Sequence, residues 1–214
     1  MSSDSKPEKS DFLLPERDKK LKKAAANRQH DLTVILENVH DPHNIGAVLR
    51  SCDAVGISEI FVISEKIAAI KSEKKIGKNS ASGSRKWVKV HYFEDTSTCL
   101  GEVRKKYKFI FGTHLDSNST SLYDLDLTAS VALMFGNEHL GLSEEAVKGM
   151  DGNFTIPQVG MVQSLNVSVA CAVSIFEAMR QRLVAGQYNS EFDKDNFNHA
   201  ESLDYFFSKQ FPRI

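Results

Sequence analysis

The chain has 214 residues, with 27 Lys and Arg against 28 Asp and Glu for a formal net charge of −1. That length admits one ordinary domain with appendages and a full hydrophobic core. The composition is that of a soluble globular protein. No apolar run is long enough to span a bilayer, and nothing in the overall charge points to nucleic acid.

The first ten residues, Met1 to Ser10, are polar and charged and lack the apolar segment of a secretory signal. Cys52, Cys99 and Cys171 are odd in number and widely spaced, with no Cys-x-x-Cys. Such usage indicates a reducing cytoplasm rather than a disulfide framework or a zinc site. The distribution of charge says more than its sum. Arg17, Lys19, Lys20, Lys22, Lys23 and Arg28 crowd an N-terminal arm, and Lys71, Lys74, Lys75, Lys78, Arg85, Lys86 and Lys89 form a second basic run. An acidic tail offsets both through Glu191, Asp193, Asp195, Glu201 and Asp204. Two explanations stand open: solvated helix faces, or a polyanionic partner.

In chain order, residues 1–11 read as disordered, and a short basic helix is expected over Phe12 to Gln29. Leu32 to Leu36 is a β-rich apolar run and the first buried strand. After the polar loop Glu37 to Asn44, a helix is predicted over Ile45 to Val55, with Asn44 as N-cap and Gly56 as its stop. Glu59 to Ile63 is the second strand. The basic segment 66–89 contains Ser80-Ala81-Ser82-Gly83-Ser84, a loop that suits either a phosphate-bearing ligand or simple flexibility. A helix over Thr96 to Tyr107 and strands over Lys108 to Thr113 and Val131 to Gly136 follow. Next come a short helix capped by Ser143, a strand over Phe154 to Pro157, and a long helix ending near Gly186. Asn189 to Ile214 reads as a polar appendage whose Leu203, Tyr205, Phe206, Phe207 and Phe211 can dock. Alternating strands and helices predict an α/β fold with a mostly parallel sheet flanked by helices. The expected divisions are residues 1–30, 31–186 and 187–214.

Four polar clusters, at residues 38–44, 112–116, 136–141 and 157–166, each follow a predicted strand, where open α/β sheets bind ligands. Gly-x-Gly-x-x-Gly, Walker and Gly-x-Ser-x-Gly signatures are absent. His40 and His43 lie in a loop without a second partner pair, so exposed loop histidines account for them and no metal is expected. What remains is Asn38, Asn44 and Arg50 in the first loop and helix, Gly136 to Gly141 in a later loop, and Gln163, Ser164 and Asn166 at the mouth of the long helix. Ser164 there is either an N-cap or a reactive-site hydroxyl. Arg50, a guanidinium in an otherwise apolar stretch, is either paired with Asp53 or functional.

Three motifs carry a resemblance to a known family. They are Asn-x-Gly-Ala-x-x-Arg (Asn44 to Arg50), Gly-Asn-Glu-x-x-Gly-Leu-Ser (Gly136 to Ser143), and Ile-Pro-x-x-Gly-Met-Val-Gln-Ser-Leu-Asn-Val-Ser-Val-Ala (Ile156 to Ala170). In this order they resemble the SpoU/TrmH branch of the SPOUT methyltransferases, most closely the TrmH-type tRNA (guanosine-2′-O-)methyltransferases, from about Leu32 to Leu183. The resemblance implies a SPOUT fold whose C-terminal part is a deep trefoil knot, and a cytoplasmic homodimer. It implies S-adenosylmethionine as methyl donor, with S-adenosylhomocysteine as product, and no metal or membrane. Thr113, Gly136, Asn137, Gly141, Ile156, Met161, Ser164 and Leu165 are then the cofactor residues. Arg50, Asn44, Glu138, Ser164 and Asn166 form the catalytic set, with Arg50 reaching the partner's cofactor and Asn44 orienting Arg50 or the ribose. Arg17, Lys19, Lys20, Lys22, Lys23, Lys78, Arg85 and Lys86 are the expected RNA contacts. The implied reaction is methylation of an RNA ribose 2′-OH, first of all the tRNA D-loop guanosine at position 18. A ribosomal or anticodon-loop ribose, or a silent knotted RNA-binding dimer, is the alternative.

Overall fold

The computed structural model describes residues 13–65, 86–114, 116, 119–138, 140–188 and 190–210. The loop at Ser80 to Ser84, together with Lys78, Arg85 and Phe211, lies outside them. Residues 29–187 form one compact unit and the two flanking segments another.

The larger unit is a seven-stranded, all-parallel sheet. Its strands are β1 (Leu32–Glu37), β2 (Glu59–Ile63), β3 (Lys89–Phe93), β4 (Phe109–Thr113), β5 (Thr120–Ser121), β6 (Val131–Phe135) and β7 (Gly152–Thr155), in the order β3-β2-β1-β6-β4-β7-β5. β1 lies mid-sheet, with Val34 opposite Ile60 on one side and Leu133 on the other. Successive side chains of a strand point to opposite faces, and both faces are covered. Leu32, Val34, Leu36, Leu133 and Phe135 pack with α2 (Pro42–Ala54) and α5 (Val167–Val184). Ile35, Phe61, Ala132 and Met134 pack with α3 (Thr96–Arg104) and α4 (Glu144–Gly149). Strand β7 enters between β4 and β5, both of which precede it in the chain.

The parallel α/β architecture is as expected, but several boundaries move for identifiable reasons. α2 starts at Pro42, not Ile45, because Asp41 is its N-cap and its carboxylate accepts the His43 N–H at 2.8 Å. Pro42 suits the first turn, where its missing N–H costs nothing. Asn44 is therefore not a cap, which frees its side chain. α5 starts at Val167 with Asn166, not Ser164, as its cap. α3 stops at Arg104, short of Tyr107, which leaves the helix to enter the core. The short edge strands β3 and β5 carry too little apolar pattern to have been read from sequence. Gly56 does follow α2 with φ +83°, a conformation glycine adopts without strain.

Two buried charged groups hold the far end of this unit. Arg182, fully buried near the end of α5, donates to the carbonyls of Leu127 (2.9 Å) and Ala129 (2.7 Å) and to Gln29 Oε1 (3.0 Å). Glu59, 6% exposed, accepts from Lys106 Nζ (2.8 Å) and Tyr107 Oη (3.0 Å), and His91 Nε2 lies 2.8 Å away. Burial pushes the Glu59 carboxyl up, but His91 and Lys106 outweigh it and bring its pKa to about 2 from 4.5. A carboxylate depressed by folding stabilises the protein above its unfolded pKa, and that gain disappears as pH falls from about 4.5 through about 2. The stability advantage of the wild type over Glu59→Gln should shrink by about 3 kcal/mol between pH 6 and pH 2. Urea unfolding of both proteins across that range measures it, and a pH-independent difference contradicts it.

In the smaller unit, α1 (Pro15–Ala26) packs against α6 (Phe197–Gln210). Leu21, Ala25, Phe206 and Phe207 are buried, and the Arg28 guanidinium sits 5.0 Å from the Phe206 ring centre. Within the C-terminal appendage, Phe197–Gln210 is thus a helix. Among the described residues no helix is long and apolar enough to cross a membrane.

Candidate active site

The carboxyl ends of β4, β6 and β7 open on a cavity of about 360 Å³. Thr113 and His114 continue β4 into its wall, Gly136 to Glu138 continue β6, and Thr155 and Ile156 continue β7. Gln163, Ser164 and Leu165 close it from the loop before α5. Phe135 and Phe154, at 88° to one another, contribute buried ring edges and faces.

The loop after β6 is locked by its own main chain. Asn137 N–H donates to the Gly141 carbonyl (3.0 Å), and Gly141 N–H donates back to the Asn137 carbonyl (2.8 Å). The Asn137 side chain accepts the Leu140 N–H at 3.2 Å and donates to the Asn38 carbonyl at 2.9 Å. Asn38 presents that carbonyl from a left-handed conformation (φ 55°), which Asn tolerates better than most residues. Gly136 lies so close under this loop that a Cβ there would run into the Gly141 carbonyl and lie 2.5 Å from Leu142 N. Gly141 itself turns the loop at φ +67°.

At the rim, three expected residues join in one chain of hydrogen bonds. Asn166 Oδ1 caps α5 by accepting from Ser168 N–H (2.9 Å) and its hydroxyl (2.6 Å). That fixes the Asn166 amide, whose Nδ2 donates to Asn44 Oδ1 at 3.1 Å. The Asn44 Nδ2 in turn donates to Glu138 Oε1 at 2.6 Å. Helix α2, the β6 loop and the α5 cap are thereby brought together although 122 residues separate Asn44 from Asn166.

Thr113, Gly136, Asn137, Gly141, Ile156, Ser164 and Leu165 all line the cavity; Met161 does not. Met161 is 99% exposed, because the segment from Val159 to Val162 runs outward before the chain returns to α5. Arg50 is exposed on α2 and outside the cavity, and no Arg50–Asp53 ion pair forms among the described residues. Within its own chain Asn44 does not contact Arg50. Six residues apart, the two lie roughly 120° around the helix and about 9 Å along it, and the Asn44 amide is occupied elsewhere. Sequence reading missed His114, adjacent to an expected residue, and Glu37, described below.

The cavity volume falls within the range of about 300–1,000 Å³ typical of small-molecule sites. Two glycines let the main chain approach a ligand, and polar amides frame one end. Among the described residues no group of His, Cys, Asp and Glu could hold a metal ion. A parallel sheet with a glycine-cradled cavity over its carboxyl edge, and the Glu138 carboxylate held by the Asn44 amide beside it, has the form of a binding site for a small organic molecule.

Residues 31–176 match the SpoU rRNA Methylase family, and the chain belongs to that family. It is 41% identical over 173 residues to the tRNA (guanosine(18)-2′-O)-methyltransferase of Thermus thermophilus, covering 81% of this chain and 87% of that one. The crystal structure of the Aquifex aeolicus TrmH/SpoU tRNA modifying enzyme superposes with a TM-score of 0.80 at 32% identity, over 91% of this chain and 96% of the other. The SpoU methyltransferase AviRb from Streptomyces viridochromogenes, solved in complex with AdoMet, gives a TM-score of 0.65 at 25% identity, over 74% and 64% of the two chains. The chain is an S-adenosylmethionine-dependent methyltransferase, and the resemblance read from its three motifs holds.

Proposed function

We propose that this protein methylates the ribose 2′-oxygen of the D-loop guanosine at tRNA position 18, as a homodimer whose C-terminal part is knotted. The observation that carries the reading is the Glu138–Asn44–Asn166 chain at the rim of the glycine-cradled cavity. It joins all three family motifs at one place. Similarity over most of the Thermus thermophilus relative's length supports the particular substrate.

S-Adenosylmethionine supplies an electrophilic sulfonium methyl when bound. Gly136, Ile156 and Leu165 would hold it through the main chain, with Thr113 and Asn137 bracing the loops. Glu138, fixed by Asn44, and Ser164 form the polar wall that orients the ribose. The 2′-hydroxyl is a weak acid, so the enzyme must favour the developing alkoxide and fix the attack geometry. Arg50 does this from the sister subunit, as a charge stabiliser rather than a base, because a guanidinium hardly deprotonates.

Two observations support the dimer. Arg50 lies outside its own chain's cavity, and Val169, Phe176 and Leu183 leave a half-exposed apolar stripe at seven-residue spacing along α5. For RNA, Lys19, Lys20 and Lys23 stand exposed on α1, and Lys86 is exposed before β3. Lys22 pairs with Asp18 at 2.7 Å, which offsets its charge, whereas Arg17 donates to the neutral Gln210 amide at 3.1 Å, which positions the guanidinium without neutralising it. Three free, buried cysteines support a cytoplasmic location.

Transfer of labelled methyl to total tRNA, followed by mapping of the modified nucleotide, tests the reading. Label at the position-18 ribose is expected, with RNA affinity that falls steeply as salt rises. Label in ribosomal RNA or the anticodon loop would reassign the substrate. RNA binding without any transfer would make the protein a silent RNA-binding dimer.

A further inference from the structure

The last residue of β1 and the residue after it hold both ends of the β6 loop. Asn38 takes the Asn137 amide at the loop's start, as described above. At its finish stands Glu37, 1% exposed and buried within the sheet. Its Oε1 accepts from the Ser143 hydroxyl (2.7 Å) and from the Thr96 hydroxyl (2.7 Å), and its Oε2 accepts the Ser143 N–H (2.8 Å). Ser143 is also the cap of α4, its hydroxyl oxygen accepting the Ala146 N–H at 3.1 Å. Three donors and no cation among these contacts satisfy a carboxylate that would otherwise be costly to bury.

We infer that Glu37 is a positioning residue for cofactor binding: through Ser143 it sets where the Gly136–Leu142 loop ends, and so how tightly that loop closes over the ligand. The inference rests on the proposed assignment of that loop to S-adenosylmethionine. Glu37 touches neither cofactor nor RNA, and acts only through the loop. Its two hydroxyl partners separate this role from general support of the fold. Thr96 belongs to α3 and reaches the loop only through the shared Glu37 oxygen, whereas Ser143 follows the loop directly in the chain and anchors it.

Three variants test it: Glu37→Gln, Ser143→Ala and Thr96→Val. An amide in place of the carboxylate turns one acceptor into a donor facing donors. Glu37→Gln should therefore raise the S-adenosylmethionine KM and the S-adenosylhomocysteine Kd by roughly tenfold or more, the scale of a hydrogen bond to a charged group. The RNA KM should stay within about twofold, because uniform binding of the other substrate is untouched. Ser143→Ala should shift the cofactor constants in the same direction, and Thr96→Val should not, even where both lower the melting temperature equally. If Thr96→Val weakens cofactor binding as much as Ser143→Ala, or if neither Glu37→Gln nor Ser143→Ala does, the inference is overturned. Should Glu37→Gln fail to fold, the Ser143 and Thr96 pair still decides it. Wild-type protein that binds no S-adenosylhomocysteine would instead sink the cofactor assignment itself, and would show this before any variant is made.

Discussion

Arg50→Ala is expected to lower kcat for methyl transfer by at least about 10²–10³-fold, the loss seen when a group stabilising developing negative charge is removed. S-Adenosylhomocysteine binding should persist, since in this reading Arg50 meets the developing charge on the ribose oxygen, while the cofactor is held by the cavity's own loops. The fold should persist too, because the side chain is exposed and no ion pair to Asp53 depends on it. Isothermal titration with S-adenosylhomocysteine and single-turnover transfer to tRNA separate the two effects. Retained turnover removes Arg50 from the mechanism, and lost cofactor affinity makes it a binding residue instead. Arg50→Lys, which keeps the charge but not the planar fork, should recover only part of the rate.

The second large effect belongs to Gly136→Ala. The added methyl meets main chain at Gly141 and Leu142 rather than the far end of a flexible side chain, so nothing nearby can yield cheaply. Overpacking of this kind costs about 1–3 kcal/mol, and here the loop that gives way is the ligand's own wall. Cofactor affinity should fall by about 10–100-fold, the equivalent of that energy. Gly160→Ala is the internal comparison: a Cβ there meets nothing within 4 Å, and binding should be unchanged. Equal loss in both would mean that the cradle at Gly136 is not what holds the ligand. Assayed at a cofactor concentration that leaves Gly136→Ala largely unloaded, the two impaired proteins also form a complementation pair. If Arg50 serves the opposite subunit, mixed dimers of Arg50→Ala and Gly136→Ala carry one intact site, and remixing equal amounts restores roughly a quarter of the wild-type sites. Sites that draw both groups from a single chain recover nothing.

The parts of this molecule legible in the sequence were those governed by short-range pattern. The apolar runs at Leu32, Glu59, Phe109 and Val131 became strands within a residue or so, since a strand buried on both faces is written as a continuous run. The helix starts were harder, because several capping residues stood in a row. Asp41 and Asn44 both qualify by type, as do Ser164 and Asn166, and the choice is made by Pro42 in one case and by the Ser168 amide in the other. Misplacing those caps also hid the rim network, since Asn44 reaches Glu138 only when it is not spent on its own helix. The buried carboxylates read as ordinary surface groups, Glu37 as the start of a polar loop and Glu59 as the start of a strand. Their partners lie between 32 and 106 residues away, a separation no local pattern records. Met161 was expected at the cofactor from the motif alone, yet the outward course of the Val159 to Val162 segment is set by three-dimensional context.

The placement of β7 between β4 and β5 has a consequence for how ligands come and go. A strand on the border of a sheet can peel away and reseal, but β7 is held by β4 from Gly152 to Phe154 and by β5 at Phe154 and Thr155, which resists fraying. The floor beneath Ile156 is therefore a stiff shelf, and admission to it must come from the coils above. Traffic through the site becomes a matter of lifting a few loops, while the platform they rest on stays shut.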